Sequence, residues 1–509
     1  MKRRTFLGAA GGLGAAAVTV GPWIGRSSAA SFGVFPSGTT SVQLPEAQRA
    51  KKVLEIFLYG GLSVWETLYL VRDYGKPDDP DPMLRNTQSY ALSMTQAGAA
   101  CGNVDLDRTF GTDANGATVE LGPFAHLLHA RTDVRDRMRL VVQHHTLEPH
   151  EAAVPLALTG RPVGQPSAAG LGAHIQRARI DSGASAGRAS PHSYVFATGG
   201  ISSDNVAAAA LPGGHGGSSR PVLIKTDNAA RFTNLLQRNT LGANRGSHDA
   251  LVSAYHEQYE GRLSWPTRGR VRSTKADDLS IAFDRAKNAD AIRAVLADDL
   301  FAMQSDTTCG VSRRSLPLMS LTAARRLLTH PTEPASYVCV SDTGLYEASG
   351  GGGYDTHNDN AVDTAVNFNN ILKALFGIIN APGENDPTKI SLDDTLIILN
   401  TEFGRTPWRQ GQDGRNHHPY GYATAFIGGP ILAEHKGIYG AIGRDGRSIR
   451  GSETVPGYGA PSENRIAALL AMGFWPFAGE GFNVADVAGA TNELDAARHA
   501  IAKYLGRTA

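Results

Sequence analysis

The sequence predicts an α/β layer fold with a largely parallel central sheet. Three observations predict it. Six short apolar runs read as strands covered on both faces, segments of helical periodicity alternate with them, and residues of ligand type follow several of the strand ends.

The strand candidates are 53–59, 138–143, 193–197, 337–340, 395–400 and 423–427. Each is rich in Val, Ile, Leu, Phe or Tyr and bounded by polar residues or glycine. Helical candidates are 151–158, 171–179, 279–303, 359–379, 463–472 and 492–505. The third is amphipathic, with Ile281, Ile292, Val295, Leu296 and Leu300 among the apolar residues at helical spacing. The Gly-, Ser- and Asn-rich stretch 199–246 reads as an insertion or lid over the sheet edge. The polar stretch 181–190 reads as a surface loop. The mature chain, 31–509, is read as a single domain.

The first thirty residues stand apart. Arg3-Arg4 followed by Phe6-Leu7, a weakly apolar Gly/Ala stretch and the small residues Ser28-Ala29-Ala30 form a twin-arginine export pattern. The apolar core is shorter than the roughly 20 residues that a span needs. The expectation is a cleaved signal, passage through the twin-arginine translocase, a periplasmic or secreted protein, and no stable membrane span afterwards. Charge is balanced, 49 Lys+Arg against 48 Asp+Glu, so there is no electrostatic case for nucleic acid. Three cysteines make no disulfide framework, and Cys339, inside an apolar run, reads as a small buried hydrophobe.

Ligands of open α/β sheets bind at the carboxyl ends of strands. The first strand is followed by Gly60-Gly61 and then Ser63, Glu66 and Thr67. His144, His145, Glu148 and His150 follow the second. Asp355-Thr356-His357 follow a glycine run after the fourth. Thr401-Glu402-Phe403-Gly404-Arg405 follow the fifth, and Asn416-His417-His418 precede the sixth. Carboxylate and imidazole sets of this kind suit Zn, Mn or Fe, and Arg405 suits an anionic ester. Each element also has a plainer reading. Asp355 or Thr356 would cap a helix, His144 and His145 would be core histidines, Glu402 and Arg405 would form a structural ion pair, and Gly60-Gly61 would be a turn.

These motifs resemble the bacterial family called domain of unknown function 1501, which looks like a branch of the alkaline phosphatase/sulfatase superfamily. The resemblance rests on Gly60 to Thr67, His150-Glu151-Ala152-Ala153, Thr159-Gly160, Pro166-Ser167-Ala168-Ala169-Gly170, Asp355-Thr356-His357, Thr401 to Pro407 and Gly414-Arg415-Asn416-His417-His418. It implies a three-layer sandwich with a largely parallel sheet and loop-rich insertions. It also implies an exported hydrolase of phosphate or sulfate esters acting on an anionic small-molecule or glycan ester. Glu66, Asp355, His357, Glu402 and His417 are then candidate ligands of a divalent metal (Zn, Mn or Ca), Ser63 or Thr67 the candidate nucleophile, and Arg405 the group that neutralises the transferred anion. Glu66 and Asn416 stand where Asp is usual, and Phe403 where a second-metal His is common. No Cys-x-Pro-x-Arg segment exists for formylglycine chemistry. The alternative is a periplasmic binding or assembly protein that keeps the fold without the activity.

Overall fold

The computed structural model describes residues 32–80, 108–165, 168–181, 193–197, 202–212, 220–225, 239–263, 305–309, 311–314, 316–344, 353–411, 413–451, 457–478 and 481–508, with isolated positions 82, 85, 295, 296 and 300. The export pattern, most of the 279–303 helix and part of the 199–246 stretch lie outside the described residues.

An eight-stranded sheet forms the centre. Its strands in chain order are β1 (Lys52–Leu58), β2 (Met138–Gln143), β3 (Ser193–Ala197), β4 (Val222–Lys225), β5 (Tyr337–Asp342), β6 (Thr395–Asn400), β7 (Tyr422–Gly428) and β8 (Gly437–Tyr439). They lie in the order β8-β2-β7-β6-β1-β5-β3-β4. Only β7 runs against its neighbours; every other pairing in the sheet is parallel. All six strands read from the apolar runs are present. The two edge strands, β4 and β8, are additions, and β4 lies within the stretch expected to form a lid.

Alternation along the strands builds two cores. Leu54, Ile56 and Leu58 of β1 point to one face, with Ile397 and Leu399 of β6. There they meet α3 (Leu316–Leu328) and α4 (Asn360–Ile378). Val53 and Phe57 point to the other, with Leu396 and Ile398. They meet α1 (His150–Thr159), α2 (Leu171–Asp181), α5 (Pro461–Ala471) and α6 (Glu493–Ala500). Strands enclosed this way have no solvent face, which is why they read as unbroken apolar runs. The result is a three-layer α/β sandwich. Cys339 is buried and free on β5. Among the described residues, no helix is long and apolar enough to cross a membrane.

Polar groups are also sealed inside these layers. Glu55 of β1 meets Arg465 of α5 through two hydrogen bonds of 2.7 and 2.8 Å, and both are fully buried. At the end of β5, Asp342 accepts from the Tyr354 hydroxyl and the Gly344 amide. Burial pushes its carboxyl up to about 7. In the unfolded chain it titrates near 4. Between these values the folded state holds a proton that the unfolded state has lost, so this group's effect on stability worsens as pH rises from about 4 to about 7 and is constant above. Asp342→Asn is therefore expected to gain on the wild type across that window, by roughly 4 kcal/mol at most. Urea denaturation of both proteins at pH 5 and pH 8 checks it. An unchanged difference between them at the two pH values contradicts the assignment.

Candidate functional site

β1, β2, β5 and β6 all point their carboxyl ends to one edge of the sheet, and β7 starts there. The chain leaving β1 turns through Gly60 and Gly61, both at positive φ. A Cβ on Gly60 would overlap the Asp355 amide, and one on Gly61 would lie 2.7 Å from the Phe403 ring. The glycines let the β1 turn and the Asp355 segment pack backbone to backbone.

Four side chains meet beside this turn. His150 is the first residue of α1. Asp355 and His357 lie in the segment before α4. His417 comes from a two-residue ribbon, His417–His418, paired with Gly404–Arg405. One oxygen, Asp355 Oδ1, lies 3.4 Å from His150 Nε2, 3.1 Å from His357 Nε2 and 3.6 Å from His417 Nε2. Ligand atoms of His150, Asp355 and His417 all fall within 4.8 Å of one another. These side chains are mostly buried, while His357 is the most open, at 35% exposure.

The remaining ring nitrogens are all committed. His150 Nδ1 lies 2.8 Å from the Glu402 carboxylate, His417 Nδ1 lies 2.9 Å from the Glu148 carbonyl, and His357 Nδ1 lies 2.7 Å from the Gln410 side-chain oxygen. Each partner is an acceptor, so each Nδ1 carries the proton and each neutral ring presents a lone pair at Nε2. His357 Nε2 and His417 Nε2 are 3.0 Å apart, and two lone pairs at that distance require a proton or a cation between them. His150 Nε2 is buried and makes no hydrogen bond. A metal-ligating histidine has this environment, its far N–H held by a carboxylate or carbonyl.

Charge follows the same pattern. Burial would raise the Asp355 carboxyl, but His150, His417 and Arg405 outweigh it and hold it far below the usual carboxylate range. Burial would lower the His150 imidazole, but the Asp355 and Glu402 carboxylates outweigh it and raise it to about 9. A cation at Nε2 takes the place of that proton.

The other residues singled out from the sequence lie around this cluster in different roles. Glu402 is fully buried. It accepts from His150 and, at 2.7 Å, from the Gly60 amide. Arg405, fully buried, commits four of its five N–H groups, to Asp355 at 2.6 Å and to the carbonyls of Gly60, Gly61 and Arg415. Glu66 is taken by Arg415, at 2.7 and 3.0 Å, and by the Ser63 hydroxyl. The Thr67 hydroxyl donates to the Ser63 carbonyl at 2.6 Å. Ser63 and Thr67 are fully buried. Asp355 caps no helix: α4 starts at Asn360, with Asp359 in the cap position. His145 is a core histidine that donates to the Glu402 carbonyl at 2.6 Å, and burial lowers it to about 4. Phe403 packs on His150 and His417, with ring centroids 4.9 and 4.5 Å away.

Sequence reasoning did not place His150 among the ligands. Its signal was present in the His150-Glu151-Ala152-Ala153 motif, at the start of a helix beside a strand end. Gln410 carried no local signal, while Glu148, among the residues after the second strand, and Arg415, within the 414–418 motif, stood in the sequence reading without a role.

Glu402→Gln is expected to leave the fold intact and weaken divalent-metal affinity about 10–100-fold, because it removes the charge behind His150. Titration of Zn²⁺ or Mn²⁺ into the apo variant measures this. Wild-type affinity would show that Glu402 does not tune the cluster.

No curated protein and no solved structure matches the chain. The model of the family described as protein of unknown function (DUF1501) matches residues 50–454, most of the chain, and the chain belongs to that family.

Proposed function

We propose that His150, Asp355 and His417 hold one divalent metal ion, with His357 beside them, and that the protein is a metal-dependent hydrolase of phosphate or sulfate esters. The observation that carries this is the trio of imidazoles whose Nδ1 atoms are all occupied and whose Nε2 atoms converge on one carboxylate oxygen. A divalent ion bound there supplies Lewis-acid polarisation of the ester oxygen. Glu402 fixes the His150 ring, and Asp355, itself braced by Arg405, contributes the negative charge that retains the cation. His357, the most solvent-exposed of the four, accepts the proton of the attacking water at Nε2 while Gln410 holds its far side. As the water oxygen bonds to phosphorus or sulfur the ester P–O or S–O bond breaks, and the leaving alkoxide takes up the proton that His357 received from the water. Ser63 and Thr67 are too deeply committed to serve as nucleophiles, which favours direct attack by water.

The test is turnover of 4-nitrophenyl phosphate and 4-nitrophenyl sulfate by the purified protein. Activity should disappear on chelation, return with added metal, and be absent from His150→Ala. Turnover indifferent to chelation defeats the proposal. A second reading, a binding protein without chemistry, draws on the structural commitment of Ser63, Thr67 and Arg405. Stoichiometric metal with no turnover of either ester favours it.

The proposal includes export by the twin-arginine route, on the strength of Arg3-Arg4 and the residues after them. Replacing both arginines by lysine should retain the protein in the cytoplasm. Unchanged export would refute that route.

A further inference from the structure

Arg415 joins the pieces of chain that carry the candidate metal ligands. Its fully buried guanidinium meets Glu66 Oε1 at 2.7 and 3.0 Å, and Glu66 lies in the segment that follows β1. Its amide donates at 3.0 Å to the carbonyl of Thr356, the residue between Asp355 and His357. Its carbonyl accepts at 3.0 Å from Arg405, the partner of Asp355. His417 lies two residues further on.

Neighbouring contacts hold the same register. The Trp65 indole, beside Glu66, donates to the Arg405 carbonyl at 2.8 Å. The Asn360 amide donates to the Asp413 carbonyl at 3.1 Å. Gly414 has no room for a side chain, because a Cβ there would lie 1.6 Å from the His357 carbonyl oxygen. Residues 413–415 therefore run backbone to backbone along 356–360. The free arm of the Arg415 fork, Nη1, donates to the carbonyls of Thr406 and Pro407 at 2.8 and 2.6 Å. One guanidinium thus gathers the start and the return of the 406–416 loop onto the segment after β1. Residues 408–411 and Asn416 of that loop are exposed, so its base carries the task of holding His417 still.

A buried ion pair adds little net stability over apolar packing, but its donors fix direction as well as distance. Ligands of a metal must be held to within about 0.5 Å. The geometry points to Arg415, anchored by Glu66, as the positioning residue of the metal centre, setting the separation of His417 from Asp355 and His357. This rests on the metal reading above, and Arg415 acts through the ligands without being one of them.

The test is titration of Co²⁺ into the purified wild type, Arg415→Lys, Glu66→Gln and Lys503→Met, with the visible absorption of the bound ion reporting its coordination geometry. Lys503→Met is the control. It breaks another buried pair, in which Lys503 lies 2.9 Å from both carboxylate oxygens of Glu463 on α5. Arg415→Lys keeps the charge without the planar fork, and should bind Co²⁺ about 10–100-fold more weakly with an altered band. Glu66→Gln keeps an oxygen for the guanidinium and should fall between that variant and the wild type. It also stands in for Arg415→Lys if the latter does not fold. Lys503→Met should lose several degrees of thermal stability and keep the wild-type band and affinity. Wild-type Co²⁺ binding in both Arg415→Lys and Glu66→Gln, or an altered band in Lys503→Met as well, overturns the assignment. If the wild type itself binds no Co²⁺, the metal reading fails, and crystal structures of metal-free Arg415→Lys or Glu66→Gln decide the positioning role alone. His417 Nε2 displaced from Asp355 supports it, and the wild-type separation of 3.6 Å overturns it.

Discussion

Arg465→Met is expected to destabilise the protein by about 3–5 kcal/mol, a large share of the stability of most domains. Arg465 reaches from α5 into the sheet and meets both carboxylate oxygens of Glu55. The remaining partners of that carboxylate are the Tyr337 hydroxyl at 2.5 Å and the Asn400 amide at 2.9 Å. Removing the guanidinium leaves a charge wholly enclosed between β1, β5, β6 and α5 with only neutral donors around it. Adding Glu55→Gln to Arg465→Met should recover most of the loss, because the Gln oxygen can still accept from the Asn400 amide and its NH2 can donate to the Tyr337 hydroxyl oxygen without a buried charge. Chemical denaturation of the three proteins checks both claims. A single variant as stable as the wild type would show that Glu55 takes a proton at little cost and that the pair is not what joins helix to sheet.

Asp355→Asn is expected to abolish tight metal binding and to reduce ester turnover by roughly 10³-fold, about 4 kcal/mol of transition-state stabilisation. Asp355 is the one carboxylate to which the Nε2 atoms of His150, His357 and His417 all turn, and it is also the partner of the buried Arg405. The substitution removes the only carboxylate among the four cluster side chains and leaves the Arg405 guanidinium with neutral acceptors alone. Some loss of stability accompanies the loss of metal, so the informative comparison is with His417→Ala. That variant leaves the Arg405 pair untouched. Both variants should lose metal, and only Asp355→Asn should lose several degrees in thermal stability when metal-free proteins are compared. Retention of metal by either variant contradicts the ligand assignment.

Much of the architecture was legible because central parallel strands cannot hide their composition. The run 395–400 is apolar on both faces since both faces are covered by helices. The edge strands β4 and β8 were not legible, being short and only partly buried, with no period of their own to declare them. α3 was missed for another reason: it opens Leu-Pro and ends near an Arg pair, which blurs its apolar stripe. At the site, Asp355, His357 and His417 stood out because ligand-type residues clustered at strand ends. Glu66 looked equivalent to them by the same criterion. What separates it is Arg415, far along the chain, which claims both its geometry and its charge. His150 shows the converse case, in which a residue that local pattern assigns to a helix start is carried into the cluster by the direction in which α1 leaves the sheet. Long-range pairings of this kind are set by tertiary packing, and no local window of sequence contains them.

The metal centre is tested most directly by anomalous diffraction from crystals grown with Zn²⁺ or Mn²⁺. One strong peak is expected, about 2.0–2.2 Å from His150 Nε2, His417 Nε2 and an Asp355 oxygen. No peak among these atoms, or a peak at Glu66 or elsewhere with this cluster empty, would contradict it.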